Sequence, residues 1–317
     1  MNKLLILAYN EQLYIKETVL KYIDNFEEII IVNDNSSDDT SKIINDLEKE
    51  YKNIKLISNK KNFGAGKSLE IGISAALESK FNYLIKIDGD NQFENTNVLD
   101  MLKKAENSNA SFVKADRFWK EGIEGEIPKI RYFGNAFASF LIKFITGNSN
   151  INDPLNGLFI FSYEVCKKIK IPKLFYRYGY PFFINTHIYK QSLEKDVLLY
   201  QYKNKVRYKD ETSYISPIIL FIKLITYSIR FYFGIIKDKL KYSDYQMSAL
   251  LDIFSITSLS ISLFFLSKAI GVRYFGVDGN QSAWFILFIL FVLFFTLLNI
   301  SSRKILKNIN SKIFNYL

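Results

Sequence analysis

The sequence predicts an α/β fold: a mainly parallel sheet with helices on both faces, followed by a helical membrane region. Three observations predict it. Up to about residue 116, short β-branched apolar runs alternate with amphipathic stretches of helical period. Polar clusters close three of those runs, at Tyr9-Asn10-Glu11, Asn33-Asp34-Asn35-Ser36 and Asp88-Gly89-Asp90. Parallel sheets bind ligands at such strand carboxyl ends. Beyond Ser213 the composition shifts to Ile, Leu, Phe and Tyr, with cations spaced along it.

Each element has its own warrant. Lys3–Ala8 reads as a first strand, too short for the core of a signal peptide, and an amphipathic helix follows near Gln12–Asp24. Glu28–Val32 and Ile54–Ser58 are strands, with a helix at Asp39–Glu50 between them, capped from Ser36-Ser37-Asp38. Asn62-Phe63-Gly64-Ala65-Gly66-Lys67-Ser68 hints at a phosphate-binding P-loop, but that motif needs a glycine where Lys61 stands. The glycines are expected to shape a turn into a helix over Ala65–Ser79. The next strand ends at Asp88. Ala110–Asp116 is a strand, Lys120–Glu126 a charged loop, and Pro128–Thr146 a long helix with proline in its first turn. A polar turn, Asn152–Gly157, enters the strand Leu158–Ser162; Lys195–Val206 is a further strand and Arg207–Ser213 a charged loop.

The expected domains are a catalytic α/β domain over 1–213, a juxtamembrane amphipathic segment over 214–241, and two transmembrane helices within 242–317. Those spans, about Met247–Ile270 and Trp284–Ile300, are each long enough to cross a bilayer. Tyr214–Leu240 carries Lys223, Arg230, Lys237 and Lys239 among apolar residues, which fits a helix lying in the headgroup region; a buried core helix is the alternative. Basic flanks on both sides of the spans place the catalytic domain in the cytoplasm, with a basic cytoplasmic tail.

Charge and composition narrow the function classes. With 42 basic and 32 acidic residues, net +10, an anionic partner is expected. The apolar excess lies in the membrane region, which favours lipid over nucleic acid. One cysteine, Cys166, rules out an intramolecular disulfide and reads as a small core residue; the single His187 excludes a histidine-rich metal site. Asp88 and Asp90 leave their strand on one side, because residues i and i+2 of a strand share a face. Gly89 between them is expected to allow a sharp turn and close ligand approach. Two neighbouring carboxylates repel unless a cation sits between them, and oxygen-only ligands suit Mg²⁺ or Mn²⁺. A solvated loop is the plainer reading of a lone Asp-x-Asp.

The motifs together resemble a family. Leu7-Ala8-Tyr9-Asn10-Glu11 is similar to the Pro-Ala-Tyr-Asn-Glu opening of family 2 glycosyltransferases of the GT-A fold. Ile31–Thr40 resembles their Val-Asp-Asp-Gly-Ser-x-Asp-Gly-Thr stretch, and Asp88-Gly89-Asp90-Asn91-Gln92 their Asp-x-Asp-x-Gln metal motif. Phe112–Arg117 looks like their Gly-Ser-Arg strand, and Asp153-Pro154-Leu155-Asn156-Gly157 like their Asp-Pro-x-x-Gly turn. With paired spans after the catalytic domain, the chain resembles the polyprenyl-phosphate group of that family. Leu7 stands in place of a proline, Asn33 of an aspartate and Asn35 of a glycine, though asparagine tolerates the left-handed conformation.

The resemblance implies an inverting hexosyltransferase using a UDP- or GDP-sugar. Ala8, Tyr9, Glu11, Asp34 and Arg117 would bind the nucleotide-sugar, and Asp88, Asp90 and Gln92 the metal. Asp90 and Asp153 would be catalytic, with Asp153 either the base or a positioning residue. Arg131 and Arg207 would grip the phosphate of a polyprenyl acceptor such as undecaprenyl phosphate. The product would serve a cell-surface glycan or protein modification at a bacterial cell membrane, and a homo-oligomer is compatible with this reading. Transfer to a growing glycan is the alternative within the enzyme class; a catalytically silent membrane scaffold is the alternative outside it.

Overall fold

The computed structural model describes residues 1–119, 123–124, 129–193, 197–207, 217–309 and 314–317. The predicted loops at Lys120–Glu126 and Arg207–Ser213 lie largely outside them. In chain order the first elements are β1 (Asn2–Ala8), α1 (Ile15–Leu20), β2 (Glu28–Asn33), α2 (Thr40–Glu50), β3 (Ile54–Ser58), α3 (Ala65–Ala76) and β4 (Tyr83–Asp88). Then come α4 (Asn95–Asn107), β5 (Phe112–Asp116), β6 (Ile123–Glu124), α5 (Lys129–Thr146), β7 (Phe159–Ser162), α6 (Tyr163–Cys166) and α7 (Tyr180–Ser192). The remaining elements are β8 (Leu199–Lys203), β9 (Val206–Arg207), α8 (Pro217–Lys239), α9 (Ser243–Phe275), α10 (Gln281–Ile309) and β10 (Asn315–Tyr316).

Eight strands form one sheet in the order β10-β8-β5-β7-β4-β1-β2-β3, and β6 pairs with β9 separately. Among the described strands of the large sheet, β7 alone runs antiparallel, between β4 and β5. The mainly parallel α/β fold predicted from the sequence is therefore present. Its central strands are apolar on both faces: Leu4 to Ile6, Ile29 to Val32, and Leu84, Ile85 and Ile87 are buried. Helices cover both sides of a parallel sheet, so its strands lose the alternation of a half-exposed sheet. Each such side chain contributes about 1.5–3 kcal/mol on burial.

Three features depart from the sequence reading. Helices α4 and α7 were not predicted; α7 has so weak an amphipathic pattern because ten of its residues are buried. The sequence after the second span reads as a basic tail, yet Asn315 and Tyr316 form the sheet's edge strand, paired with Tyr200 and Gln201 of β8. Gly89 is outside the left-handed region; Asn91, at φ 58°, takes the sharp turn, and Gly89 serves close packing against Leu7 and Ile15.

The glycines at the start of α3, Gly64 just before it and Gly66 in its first turn, answer a packing demand. A Cβ on Gly66 would overlap the Phe175 carbonyl oxygen, and one on Gly64, at φ +94°, would lie 2.5 Å from Arg177 Cα. The amide of Lys67 donates to the Tyr176 carbonyl at 3.0 Å. Gly-x-Gly here admits a neighbouring backbone, as a turn into α3, and no phosphate loop is formed. His187 has a structural role, its Nε2 donating to the Lys168 carbonyl at 3.0 Å while its ring stacks on Phe183. Cys166 is buried, and burial pushes its thiol up.

The chain divides into two compact units: Met1–Lys143, Ser149–Ser228 and Lys312–Leu317 form the first, and Phe144–Asn148 with Ile229–Ser311 the second. Within the second, α9 and α10 pack antiparallel through small residues. Ser258 Oγ donates to the Phe291 carbonyl at 2.8 Å, and Ser248 and Ser302 hydroxyls meet at 2.9 Å. Small residues let apolar helices approach closely where water drives nothing together. A buried ion pair joins Lys239 to Asp252 at 2.9 Å, and Ser302 donates to the other Asp252 oxygen at 2.7 Å. Three helices, Ile218–Lys239, Ser243–Phe275 and Gln281–Leu306, are long and apolar enough to cross a membrane.

Replacing Gly66 with Ala should destabilise the first unit by about 1–3 kcal/mol, the usual cost of overpacking. A thermal melt of the purified protein checks this; an unchanged midpoint would mean that the Phe175 backbone yields freely.

Candidate active site

The carboxyl edge of the sheet gathers the predicted residues from three sides. On the first, the loops after β1 and β2 are stitched together. The Asn10 amide donates to Ser36 Oγ at 3.0 Å, Asn10 Oδ1 accepts from the Ser37 amide at 2.8 Å, and the Glu11 amide donates to Thr40 Oγ1 at 2.7 Å. Asn10 and Asn35 take left-handed φ of 57° and 62°, a conformation asparagine tolerates better than most side chains. Asn33 Oδ1 accepts from the Ser36 hydroxyl at 2.6 Å and so folds the β2 turn back on itself. Ala8 is buried at the edge and Tyr9 beside it is exposed.

Asp34 is buried. Its Oδ1 accepts from Asn59 Nδ2 at 2.8 Å and the Phe63 amide at 2.9 Å, and its Oδ2 from the Gly64 amide at 2.7 Å. In this geometry Asp34 shapes the Asn59–Gly64 loop.

The middle of the edge is Asp88-Gly89-Asp90 at the end of β4. Lys86, fully buried, donates to Asp88 Oδ1 at 2.6 Å and to the Tyr180 hydroxyl at 2.6 Å. Burial alone would lower the Lys86 ammonium, but Asp88 and Tyr180 outweigh it and push it up. Burial raises the Tyr180 hydroxyl to about 12, with Lys86 working against the rise, so it stays protonated. Gly157 lies against this group: a Cβ there would be 2.9 Å from Asp88 Oδ2 and 3.0 Å from Lys86 Nζ. Gln92 is buried, and its backbone amide donates to Asp90 Oδ1 at 3.3 Å.

The third side joins the end of β5 to the turn before β7. Asp153, fully buried and at a left-handed φ of 43°, is held in a two-point fork by Arg117. Arg117 Nε reaches Oδ2 at 2.8 Å and Nη2 reaches Oδ1 at 2.8 Å, and the Arg117 amide adds a bond at 3.0 Å. Asn156 Nδ2 donates to Oδ2 at 3.1 Å. Burial would raise the Asp153 carboxyl, but Arg117 and Lys114 outweigh it and hold the group below the usual carboxylate range. Lys114 is buried beneath, bonded to the carbonyls of Ala115 and Asn152, and burial draws its ammonium down to about 8 against the pull of Asp153 and Asp116.

Sequence reading missed Lys86, Lys114 and Tyr180. The two lysines had a signal: each interrupts an apolar strand two residues before an acidic residue, Asp88 or Asp116, and i and i+2 share a face. Tyr180 had none, because its helix was not foreseen. Arg131 lies in the first turn of α5, half-buried. Arg207 is described only as backbone of β9, and its side chain lies outside the described residues.

Among the described residues, no three His, Cys, Asp or Glu side chains group as metal ligands. The donor set at the β4 end is two carboxylates, with the Gln92 carboxamide two residues further along the chain. Mg²⁺ commonly binds through one or two carboxylates with water and substrate phosphates completing its shell. Lys86 occupies one Asp88 oxygen and leaves Oδ2 toward Gly157, so the set fits such a cation bound together with a diphosphate.

Several known proteins share part of this sequence. A protein of Methanocaldococcus jannaschii is 38% identical over 143 residues, covering 43% of this chain and 58% of that protein. The UDP-N-acetylglucosamine–dolichyl-phosphate N-acetylglucosaminyltransferase of Methanococcus voltae is 30% identical over 177 residues, covering 52% of this chain and 70% of that enzyme. A dolichyl-phosphate β-glucosyltransferase of Trichomonas vaginalis is 24% identical over 209 residues, 62% of this chain and 59% of that enzyme. The matches thus span from 58% to 70% of these relatives' length. Among solved structures, Staphylococcus aureus TarS 1–349 with UDP-GlcNAc superposes with a TM-score of 0.49 at 15% identity, over 98% of this chain and 92% of that one. The model of glycosyl transferase family 2 matches residues 4–170, which hold all three sides of the site, and the chain belongs to that family of glycosyltransferases.

Proposed function

We propose that the protein transfers a sugar from a nucleotide-sugar to a polyprenyl phosphate held in a membrane. The observation that carries this reading is an apolar surface on the unit that bears the site. Helix α5 exposes Ile130, Phe133 and Phe140, and the start of α8 exposes Ile218, Ile219 and Ile222. Phe137 and Phe221 stack at 4.2 Å and join the two helices. Apolar side chains beside Lys129, Arg131 and Lys223 suit a bilayer interface, where a lipid acceptor's headgroup waits. The names of the Methanococcus and Trichomonas relatives support a polyprenyl phosphate as acceptor.

In this reading the β1 and β2 loops, with Ala8, Tyr9 and Glu11, bind the nucleotide, and Asp34 acts by shaping the Asn59–Gly64 loop. Asp88, Asp90 and Gln92 would hold Mg²⁺ or Mn²⁺ at the donor diphosphate. Such an ion, when bound, stabilises the charge growing on the leaving group. An acceptor phosphate oxygen attacks the sugar C1 as the C1–oxygen bond to the nucleoside diphosphate breaks, with inversion. That oxygen is already anionic, so no strong base is required. Asp153, held at low pKa and forked by Arg117, is a poor proton acceptor and serves as a positioning residue for Arg117. Arg131 and Arg207 are the proposed acceptor-phosphate contacts.

Two of the three apolar helices are assigned as crossings. The chain leaves the first unit after Ser228 and re-enters it at Lys312, and β10 pairs within its sheet. Both ends of the helical segment belong to one unit, which supports an even number of crossings. Helix α8 is the one left out of this assignment. Its Tyr227 hydroxyl bonds Thr186 Oγ1 at 2.8 Å and its ring packs edge-on to Phe175 at 4.9 Å, both inside the first unit.

Purified protein given undecaprenyl or dolichyl phosphate and a panel of UDP- and GDP-sugars should form a lipid-linked sugar phosphate with at least one pair. A product only with a saccharide acceptor would overturn the acceptor assignment. Asp90→Asn should lower that transfer by a hundredfold or more with the melting midpoint retained; full activity of the variant in chelator would end the metal assignment. For topology, a cysteine replacing exposed Asp278 should be labelled by an impermeant thiol reagent on intact cells, and one replacing exposed Lys205 only after permeabilisation. Labelling of both from outside would contradict the even number of crossings or the cytoplasmic orientation.

A further inference from the structure

The residues that follow α10 return to the catalytic unit and bond to its active-site turn. Phe314 is fully buried edge-on to Phe112 at 6.4 Å. Its amide donates to the Leu199 carbonyl at 2.7 Å, its carbonyl accepts from Gln201 Nε2 at 2.8 Å, and the Leu317 amide donates to the Gln201 carbonyl at 2.9 Å. Between them, Tyr316 crosses the carboxyl edge of β8, its ring 5.5 Å from Lys203 Nζ. Its hydroxyl donates to Asp116 Oδ2 and accepts from Asn152 Nδ2 at 2.9 Å. Burial and the bond to Asp116 both push the Tyr316 hydroxyl up, so it stays a donor.

Asp116 and Asn152 are the residues immediately before Arg117 and Asp153. Asn152 is held from every direction: its amide by Gln201 Oε1 at 2.8 Å, its carbonyl by Lys114, its Oδ1 by Lys143 at 2.8 Å and its Nδ2 by Tyr316. The Asp153 backbone is left-handed, a conformation uncommon outside glycine that fixed neighbours help to hold. Tyr316 grips both sides of this junction from the sheet's edge, through the side chains of Asp116 on β5 and Asn152 on the turn, while Lys114 bridges the carbonyls of Ala115 and Asn152 from beneath.

We propose that Tyr316 is a positioning residue of the active site, fixing the Arg117–Asp153 pair through Asp116 and Asn152. The protein's catalytic unit is then complete only when the segment after the apolar helices has docked as the sheet's eighth strand. The expected effect on transfer rests on the function proposed above; the expected effect on the turn does not.

Tyr316→Phe removes one hydroxyl and keeps the ring, the strand pairing and the Phe314 anchor. Hydrogen–deuterium exchange of the full-length protein should show faster exchange in the Asn152–Leu158 segment and unchanged protection in β1, β2 and β4. Steady-state kinetics should show kcat lowered tenfold or more with the donor KM within about twofold. Asn152→Ala should act the same way, and the double variant should be no worse than the more impaired single one, since the two lie in one network. Unchanged exchange in that segment would overturn the proposal whether or not an acceptor has been found. So would altered exchange with wild-type kcat, or losses that multiply in the double variant. A fall in melting midpoint with both readouts unchanged would make Tyr316 a structural edge residue only.

Discussion

The site depends on one buried ion pair. Asp153 sits in a left-handed backbone conformation, fully buried, at the turn that enters the antiparallel strand β7. A bare carboxylate there would be costly, because burial penalises charge by several kcal/mol. The Arg117 fork removes that penalty with two side-chain bonds of 2.8 Å and one backbone bond. Removing one partner of such a pair typically costs about 3–5 kcal/mol, since the other charge is stranded. The fork therefore ties the end of β5 to the entrance of β7. The Asp88 side of the edge inherits its shape through the same turn, which ends at Gly157, where a Cβ would crowd Asp88 Oδ2 at 2.9 Å.

Charge at the edge is balanced from below. From sequence, Asp88 and Asp90 form a repelling pair that calls for a cation. The structure supplies part of that balance from within: Lys86 lies under Asp88 at 2.6 Å, and Lys114 lies under the Asp116–Asp153 region. A cation bound with the donor diphosphate would then meet a less negative site than two bare aspartates. Its affinity would lean on the substrate phosphates, which fits an ion that arrives and leaves with the nucleotide.

Much of this was legible in the sequence because it is local. Strand period and apolar runs placed β1 to β5, and the polar clusters marked the carboxyl edge. Asn35 stood where a glycine is usual in the resembling motif, and it takes the left-handed conformation that this demanded. What was hidden is long-range. The partner of Asp153 is Arg117, 36 residues away, and no local pattern names it. Lys86 and Lys114 look like flaws in apolar strands until the sheet aligns them with carboxylates. Helix α7 is buried nearly all round, so it lacks the amphipathic period by which helices are read. Tyr316 is 200 residues from Asp116, and a short basic stretch beyond an apolar helix carries no strand signal of its own.

The return of the chain to the sheet has a consequence for assembly. Without β10 the edge of β8 would present unpaired backbone groups beside the buried Phe112, and open edges invite pairing with other chains. Closing it with a segment that follows two long apolar helices makes edge protection wait for those helices to be placed. The entropic cost of joining such distant segments grows only slowly with the length between them. The Phe314 anchor and the pairing with β8 can therefore hold the return, and the same short strand that shields the edge also carries the hydroxyl that grips the active-site turn. Edge protection and site geometry rest on one short strand, the first through its backbone pairing with β8 and the second through the Tyr316 hydroxyl on Asp116 and Asn152.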